Sequence, residues 1–179
     1  MTNNNPARRA LNIDASEHAL SLAQQILLAT DGTVTDLIAL LTGETINVTK
    51  IAQTVTRRIA PSELRCAGEA ALLCRKILLR GASKNYLYAD SIFVFERLST
   101  SIQNQLLETD RPIGLMWKEE RLEMFREIVD RRIEPCAEIA RYFDLPVTSL
   151  FVSRTYLIHQ AGQPLGSITE KWPLSCFRD

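Results

Sequence analysis

Three charged residues lie in stretches of this sequence that are otherwise apolar: Arg75, Arg154 and Glu170. A guanidinium binds a carboxylate through two parallel hydrogen bonds, and a carboxylate accepts a hydrogen bond from a hydroxyl group. Two arginines and one glutamate around an apolar pocket would therefore suit a small dicarboxylate or an aromatic acid. A buried structural network of Arg and Glu explains the same pattern. The spacing alone leaves both interpretations open.

The stretch 150–173, LFVSRTYLIHQAGQPLGSITEKWP, predicts two strands joined by a turn at 160–164. Branched and aromatic residues flank a glycine and a proline, as is typical of a hairpin. Arg154 and Glu170 are each eight residues from Gly162, so an antiparallel pairing centred there places them side by side. Such a pair is either a salt bridge at a sheet margin or one wall of a ligand pocket.

A second hairpin is predicted from strands over 70–79 and 86–95, and a third strand, with a bulge, over 45–59. Strand alternation places Arg75 and Lys76 on opposite faces of the sheet. One of them must face the solvent, and the pattern does not say which. An arginine in a mostly apolar strand either meets an anion or reaches water.

Apolar residues at helical spacing and capping residues predict five helices. Two turns rich in backbone N–H groups, 31–34 and 112–114, are places where an anionic or hydroxylated ligand could bind. The predicted helices are one capped by Asp14 or Ser16 and ending at 30–32, one from Thr33 or Thr35 to Gly43, one over 98–107, one over 119–130 and a short one ending before Pro146.

This order of elements predicts an α+β fold with a single antiparallel β-sheet and helices packed on one face. We expect a flexible N-terminus over 1–13 and a single domain over 14–179. Residues 1–10 are polar and no long apolar run follows, which predicts a cytoplasmic protein without a membrane anchor.

Composition narrows the classes of partner. The chain of 179 residues has 21 basic and 21 acidic residues, so its formal net charge is zero. This balance gives no sign of a surface for nucleic acid or an anionic membrane. Four cysteines without regular spacing and two histidines do not form a recognisable metal site, so we expect no metal.

Four stretches, in this order along the chain, resemble the chorismate lyase family in its shorter, divergent variety. The resemblance covers roughly residues 26–173, and the variety is that of the cyanobacterial and mycobacterial-type enzymes. The stretches are LLATDGTVTDLIALLTGETINV (27–48), RKILLRGASKNYLYADSIF (75–93), RPIG (111–114) and SRTYLIHQAGQPLGSITEKWP (153–173).

The resemblance implies a chorismate lyase-like fold and an enzyme that converts chorismate to 4-hydroxybenzoate and pyruvate without a cofactor. The product would serve quinone or related aromatic biosynthesis. A monomer is compatible with this expectation, and the sequence leaves the oligomeric state open. A rival prediction is a non-catalytic sensor of aromatic acids, because the same fold forms the effector domain of some bacterial repressors. Only residues 1–25 precede the matching region, which favours the enzyme.

The resemblance also assigns roles to individual residues. Arg75 would hold the ring carboxylate, and Glu170, in the motif E-x-F/W-P, would bind the C4 hydroxyl group and help the C4 proton to leave. Backbone contacts would come from the turn at Val34 or, because of a one-residue gap, Thr33. The loop at 112–114 would add contacts from Ile113 and Gly114.

Arg154 stands where the family often has two arginines in a row, with Thr155 beside it here. It would either contact the enolpyruvyl carboxylate of the substrate or hold Glu170 in place. The segment 131–150 differs from the best-known enzyme of the family.

Overall fold

The computed structural model describes residues 20–178, which form six strands and five helices. Residues 1–13 and the predicted helix start at Asp14 or Ser16 lie outside this range. The strands are β1 (Asn47–Ile59), β2 (Glu69–Arg80), β3 (Asn85–Val94), β4 (Phe125–Pro135), β5 (Leu150–Gln160) and β6 (Gln163–Pro173). The helices are α1 (Leu22–Ala29), α2 (Val34–Thr42), α3 (Thr100–Glu108), α4 (Ile113–Glu119) and α5 (Ala137–Ala140).

The strands form one antiparallel sheet in the order β1-β2-β3-β6-β5-β4. Three hairpins, β1–β2, β2–β3 and β5–β6, form most of the strand pairing in this sheet. The β3–β6 pair joins β1-β2-β3 to β6-β5-β4. The two predicted hairpins are confirmed, as is the bulge in β1, where the register shifts between Lys50 and Ala52. The predicted α+β fold with a single antiparallel sheet is confirmed.

Helices α1 to α4 cover one face of the sheet, which we call the inner face. Leu27, Ile38, Ile102 and Trp117, one from each helix, belong to the same buried cluster as Phe93 and other strand residues. The four-residue helix α5 belongs to a different cluster, with Leu78, Tyr88 and Phe151 on the outer face. None of the helices in residues 20–178 is long and apolar enough to span a membrane.

Local capping explains where the first two helices begin and end. Ser21 and Gln24 form a capping box, in which each side chain accepts a hydrogen bond from the backbone N–H of the other residue. The Gln24 amide also donates to the carbonyl oxygens of Leu174 and Cys176, both at 2.8 Å, and so ties α1 to the end of the chain. Helix α2 ends, as predicted, at Gly43, whose φ of 69° is left-handed.

The predicted helix over 119–130 is wrong. Residues Phe125–Pro135 form strand β4 at the sheet edge, where they pair with β5. Side chains alternate in exposure along β4, and Phe125 and Val129 are 65% and 50% exposed. The ladder with β5 satisfies the backbone of this β-branched segment, so tertiary pairing outweighs its local helical pattern.

A helix that the sequence analysis did not predict begins in the turn at 112–114. Helix α4 starts at Ile113, directly after Pro112, which has an extended backbone. A proline at this position costs no hydrogen bond, because the first N–H groups of a helix have no partner within the helix. This helix carries Met116 and Trp117 into the core.

Gly166 on β6 allows strands β6 and β3 to pack closely. A Cβ atom at this position would lie 2.4 Å from the carbonyl oxygen of Ile92 and 2.4 Å from the Phe93 ring. We therefore expect Gly166→Ala to lower the free energy of unfolding by about 1–3 kcal/mol, through overpacking. Urea denaturation of wild type and variant measures this loss.

Gly68→Ala is the matched control, because a Cβ atom at Gly68 meets nothing within 4 Å. Its free energy of unfolding should change by less than about 0.5 kcal/mol. Equal losses for the two variants would contradict the close packing at Gly166.

Candidate active site

A cavity that opens to the solvent lies between the inner face of the sheet and the first residues of helices α2 and α4. Most of its lining is apolar, and its charged groups come from β2, β4 and β6. The lining residues are Gly32, Thr33, Val34, Thr35, Arg75, Ile77, Leu79, Leu87, Ala89, Ser91, Pro112, Ile113, Gly114, Trp117, Arg126, Tyr156, Ile168 and Glu170.

Strand pairing arranges the floor of this cavity in rows across the sheet. Arg75 pairs with Ser91, which pairs with Ile168, which pairs in turn with Tyr156. Because all four lie on the inner face, their side chains form one continuous row from β2 to β5. In the neighbouring row, Glu170 lies on β6, the strand between β3 and β5.

Arg75 faces the cavity and Lys76 faces away from it. The Arg75 residue is 3% exposed, whereas the Lys76 side chain is 49% exposed. Both Nη atoms of Arg75 donate to the carbonyl oxygen of Arg111 at 3.1 Å, and its Nε has no partner. Burial lowers the pKa of the Arg75 guanidinium, and the charge of Asp110 opposes that change. Arg75 is thus a buried cation with an incompletely satisfied fork of donors.

Glu170 is held by two neighbours on β5. Its Oε2 accepts a hydrogen bond from Nε of Arg154 at 2.7 Å, and its Oε1 accepts one from the Tyr156 hydroxyl at 3.0 Å. Arg154 also donates from Nη1 to the carbonyl oxygen of Thr30 at 2.7 Å, whereas its Nη2 has no partner. Both members of the ion pair are buried, with Arg154 1% and Glu170 6% exposed. The carboxylate orientation is therefore fixed from both sides.

The Tyr156 hydroxyl stays protonated in this environment. Burial raises the pKa of Tyr156 well above its usual value, and the negative charge of Glu170 raises it further. The positive charges of Arg154 and Arg126 oppose this rise. A protonated phenol is the form that donates a hydrogen bond to Glu170.

Two turns bring backbone groups to the cavity mouth. Thr33 is the residue before α2 and makes no capping hydrogen bond through its side chain. Val34 and Ile113 are the first residues of α2 and α4, and Gly114 follows Ile113. The first N–H groups of a helix have no partner within it and can meet a ligand.

The structure brings most of the predicted site residues together. Arg75, Glu170 and the residues of both turns line the cavity, and Arg154 lies behind Glu170 without lining it. Sequence reasoning missed Tyr156 and Arg126. A signal existed for Tyr156, since it lies two residues after Arg154 and so shares its strand face. For Arg126 there was none, because the segment had been predicted as a helix.

No metal site is evident among the residues that the structure describes, since no group of three or more His, Cys, Asp or Glu side chains comes together there. The charged groups around the cavity are guanidinium groups and one carboxylate, which suit an organic anion.

Residues 28–178 match the family described as chorismate pyruvate-lyase Rv2949c-like. The chain belongs to this family. A chorismate pyruvate-lyase of Mycobacterium leprae is 35% identical over 163 residues, which cover 87% of this chain and 76% of that protein. One of Mycobacterium tuberculosis is 26% identical, over 87% of this chain and 81% of its own length. The family expected from the four short stretches is thereby confirmed.

Solved structures with the same fold include PhnF from Mycobacterium smegmatis. The likeness has a TM-score of 0.63 at 12% identity and covers 81% of this chain and 65% of PhnF. The effector domain of PhnF alone gives a TM-score of 0.62 at 12% identity, over 79% of this chain and 88% of the domain. At this identity the likeness shows the fold alone.

Removing one member of the buried ion pair should be costly. Arg154→Met leaves Glu170 buried without its cation, so we expect the free energy of unfolding to fall by about 3–5 kcal/mol. Arg57→Met is the control, since the Arg57–Glu96 pair has a similar distance, 2.8 Å, but side chains 61% and 50% exposed. Its loss should stay below about 1 kcal/mol. Urea denaturation gives both values, and similar losses would refute the role of burial.

The buried tyrosine makes stability depend on pH. An unfolded tyrosine loses its proton near pH ~10, whereas the pKa of Tyr156 is higher in the folded protein. As the pH rises above about 10, the unfolded chain binds fewer protons than the folded protein, and the free energy of unfolding falls. Tyr156→Phe should therefore lose less stability than wild type between about pH 9 and pH 11. Denaturation curves at both pH values measure this, and equal losses would contradict it.

Proposed function

We propose that this protein eliminates pyruvate from chorismate and releases 4-hydroxybenzoate. The observation that carries the proposal is one apolar cavity lined by a buried guanidinium, Arg75, and a buried carboxylate, Glu170. Membership of the chorismate pyruvate-lyase family supports the same reaction. The zero formal net charge agrees with a small-molecule substrate.

Arg75 would bind the ring carboxylate of chorismate. Its Nη atoms now share a single carbonyl oxygen and its Nε has no partner, so a carboxylate would satisfy the fork better. The first N–H groups of α2 and α4, at Val34, Ile113 and Gly114, would add hydrogen bonds near the cavity mouth. The apolar side chains between them would enclose the ring and exclude water.

Glu170 would accept a hydrogen bond from the C4 hydroxyl group of the substrate and assist the departure of the C4 proton. The bond between C3 and the ether oxygen breaks, the ring becomes aromatic, and the enolpyruvyl group leaves with its electron pair and takes up a proton to give pyruvate. Electrons move only within the substrate, so the reaction needs no redox cofactor. The protein contributes orientation and a preorganised electrostatic environment.

Arg154 and Tyr156 would act through Glu170. Because each donates one hydrogen bond to a different oxygen of this carboxylate, together they fix the direction in which it faces the substrate. We assign Arg154 this positioning role, which is one of the two that its sequence context allowed. The product would enter quinone or related aromatic biosynthesis in the cytoplasm.

The direct test is to mix purified protein with chorismate, following pyruvate with a coupled dehydrogenase and 4-hydroxybenzoate by chromatography. Wild type should form both products in equal amounts. Arg75→Gln and Glu170→Gln should each lower kcat/KM about tenfold to a hundredfold, since each removes a charged hydrogen-bonding group.

Lys76→Gln is the matched control for Arg75→Gln, because it changes the neighbouring cation on the outer face and should leave kcat/KM unchanged. Absence of both products with wild type would refute the proposed reaction. If wild type then still binds 4-hydroxybenzoate, the non-catalytic binding alternative is supported. Turnover by both Gln variants at the wild-type rate would refute the site.

A further inference from the structure

Chorismate carries two carboxylates, and the roles given above use one guanidinium in the cavity. Arg154 is an unsuitable partner for the second carboxylate, since it is fully buried behind Glu170 and absent from the cavity lining. Its Nε and Nη1 are already bonded to Glu170 and to the Thr30 carbonyl oxygen. The second carboxylate needs a cation that reaches the cavity itself.

Arg126 is the other arginine of the cavity lining, which includes no lysine within the part of the chain that the structure describes. It lies on edge strand β4 and pairs with the buried Ile158 of β5, so its side chain extends over the inner face. The residue is half-buried, and its guanidinium donates from Nη1 to the carbonyl oxygen of Asp31, beside the turn before α2. One wall of the cavity mouth therefore carries a positive charge.

The two arginines lie on opposite sides of Glu170. In the strand order β2-β3-β6-β5-β4, Arg75 is on the first strand, Glu170 on the central one and Arg126 on the last. Four strand spacings of about 4.8 Å separate β2 from β4, roughly 19 Å in all. The long side chains of Arg75 and Arg126 shorten this gap, and both residues line the same cavity.

Arg126 lines the same cavity as Tyr156. Its positive charge lowers the pKa of Tyr156, against the larger effect of burial. The Tyr156 hydroxyl in turn donates a hydrogen bond to Oε1 of Glu170 at 3.0 Å. A guanidinium has five N–H donors in a planar fork, and a carboxylate engages two of them.

We propose that Arg126 binds the second carboxylate of the substrate and makes the site select dicarboxylates over monocarboxylates. This inference rests on the proposed function for the identity of the substrate. Arg75 and Arg126 would hold the two carboxylates at the two sides of the cavity, with Glu170 between them. Loss of pyruvate leaves a monocarboxylate, which has no second carboxylate for Arg126 to bind.

Two stable ligands test this without turnover. 3-(Carboxymethoxy)benzoate has a ring carboxylate and an ether-linked carboxylate, whereas 3-methoxybenzoate has only the first. Isothermal titration calorimetry should show that wild type binds the dicarboxylate more tightly. Arg126→Gln should weaken the binding of the dicarboxylate about tenfold to a hundredfold and leave the binding of the monocarboxylate unchanged. Arg126→Lys should keep part of the preference, because it keeps the charge but not the fork.

Arg132→Gln is the matched control, because Arg132 lies on the same strand but is exposed and bonded to Asp130 at 2.7 Å. It should bind both ligands as wild type does. The inference is overturned if wild type shows no preference for the dicarboxylate, or if Arg126→Gln weakens both ligands equally or neither. The proposed reaction is tested separately by the chorismate assay, in which it fails if wild type forms no pyruvate.

Discussion

The buried ion pair between Arg154 and Glu170 connects the two strands of the closing hairpin, the end of helix α1 and the cavity. Removing two charges from water costs several kcal/mol per ion, and the structure offsets this with further hydrogen bonds. Tyr156 donates to the carboxylate, and the Thr30 carbonyl oxygen accepts from the guanidinium. The same contacts that make the pair tolerable in the core also fix the direction in which Glu170 faces the cavity, so stability and site geometry depend on one network.

The strand order gives the site its shape. Because β6 lies in the middle of the sheet, its one inward carboxylate stands between arginines carried by strands on either side. The β3–β6 ladder that makes this possible joins segments some 80 residues apart in the chain, and the close approach of these strands requires Gly166. Helices α2 and α4 then close the cavity with their first turns, where backbone N–H groups have no partner within the helix.

The likeness to the effector domain of PhnF shows the fold alone, and a fold does not determine an activity. The function of this chain depends on which side chains reach its cavity. Arg75 lies among apolar lining residues, and its guanidinium is incompletely hydrogen-bonded. Glu170 is oriented by two hydrogen-bond donors, Arg154 and Tyr156. This arrangement supports the proposed catalytic role of Glu170.

The sequence by itself determined the two hairpins, the pairing of Arg154 with Glu170 and the end of α2 at Gly43, because each depends on a nearby turn, an alternation of two or a capping glycine. It also determined the family, through four short stretches in order. Only the tertiary structure decided that Arg75 rather than Lys76 faces inward and that 125–135 is a strand. The local pattern of that segment fits a helix, but β5, which lies later in the chain, offers it a ladder of hydrogen bonds. Arg126 reaches the cavity through this pairing, because the neighbouring strand β5 fixes the position of the edge strand β4. The residues of β4 alone do not reveal that position.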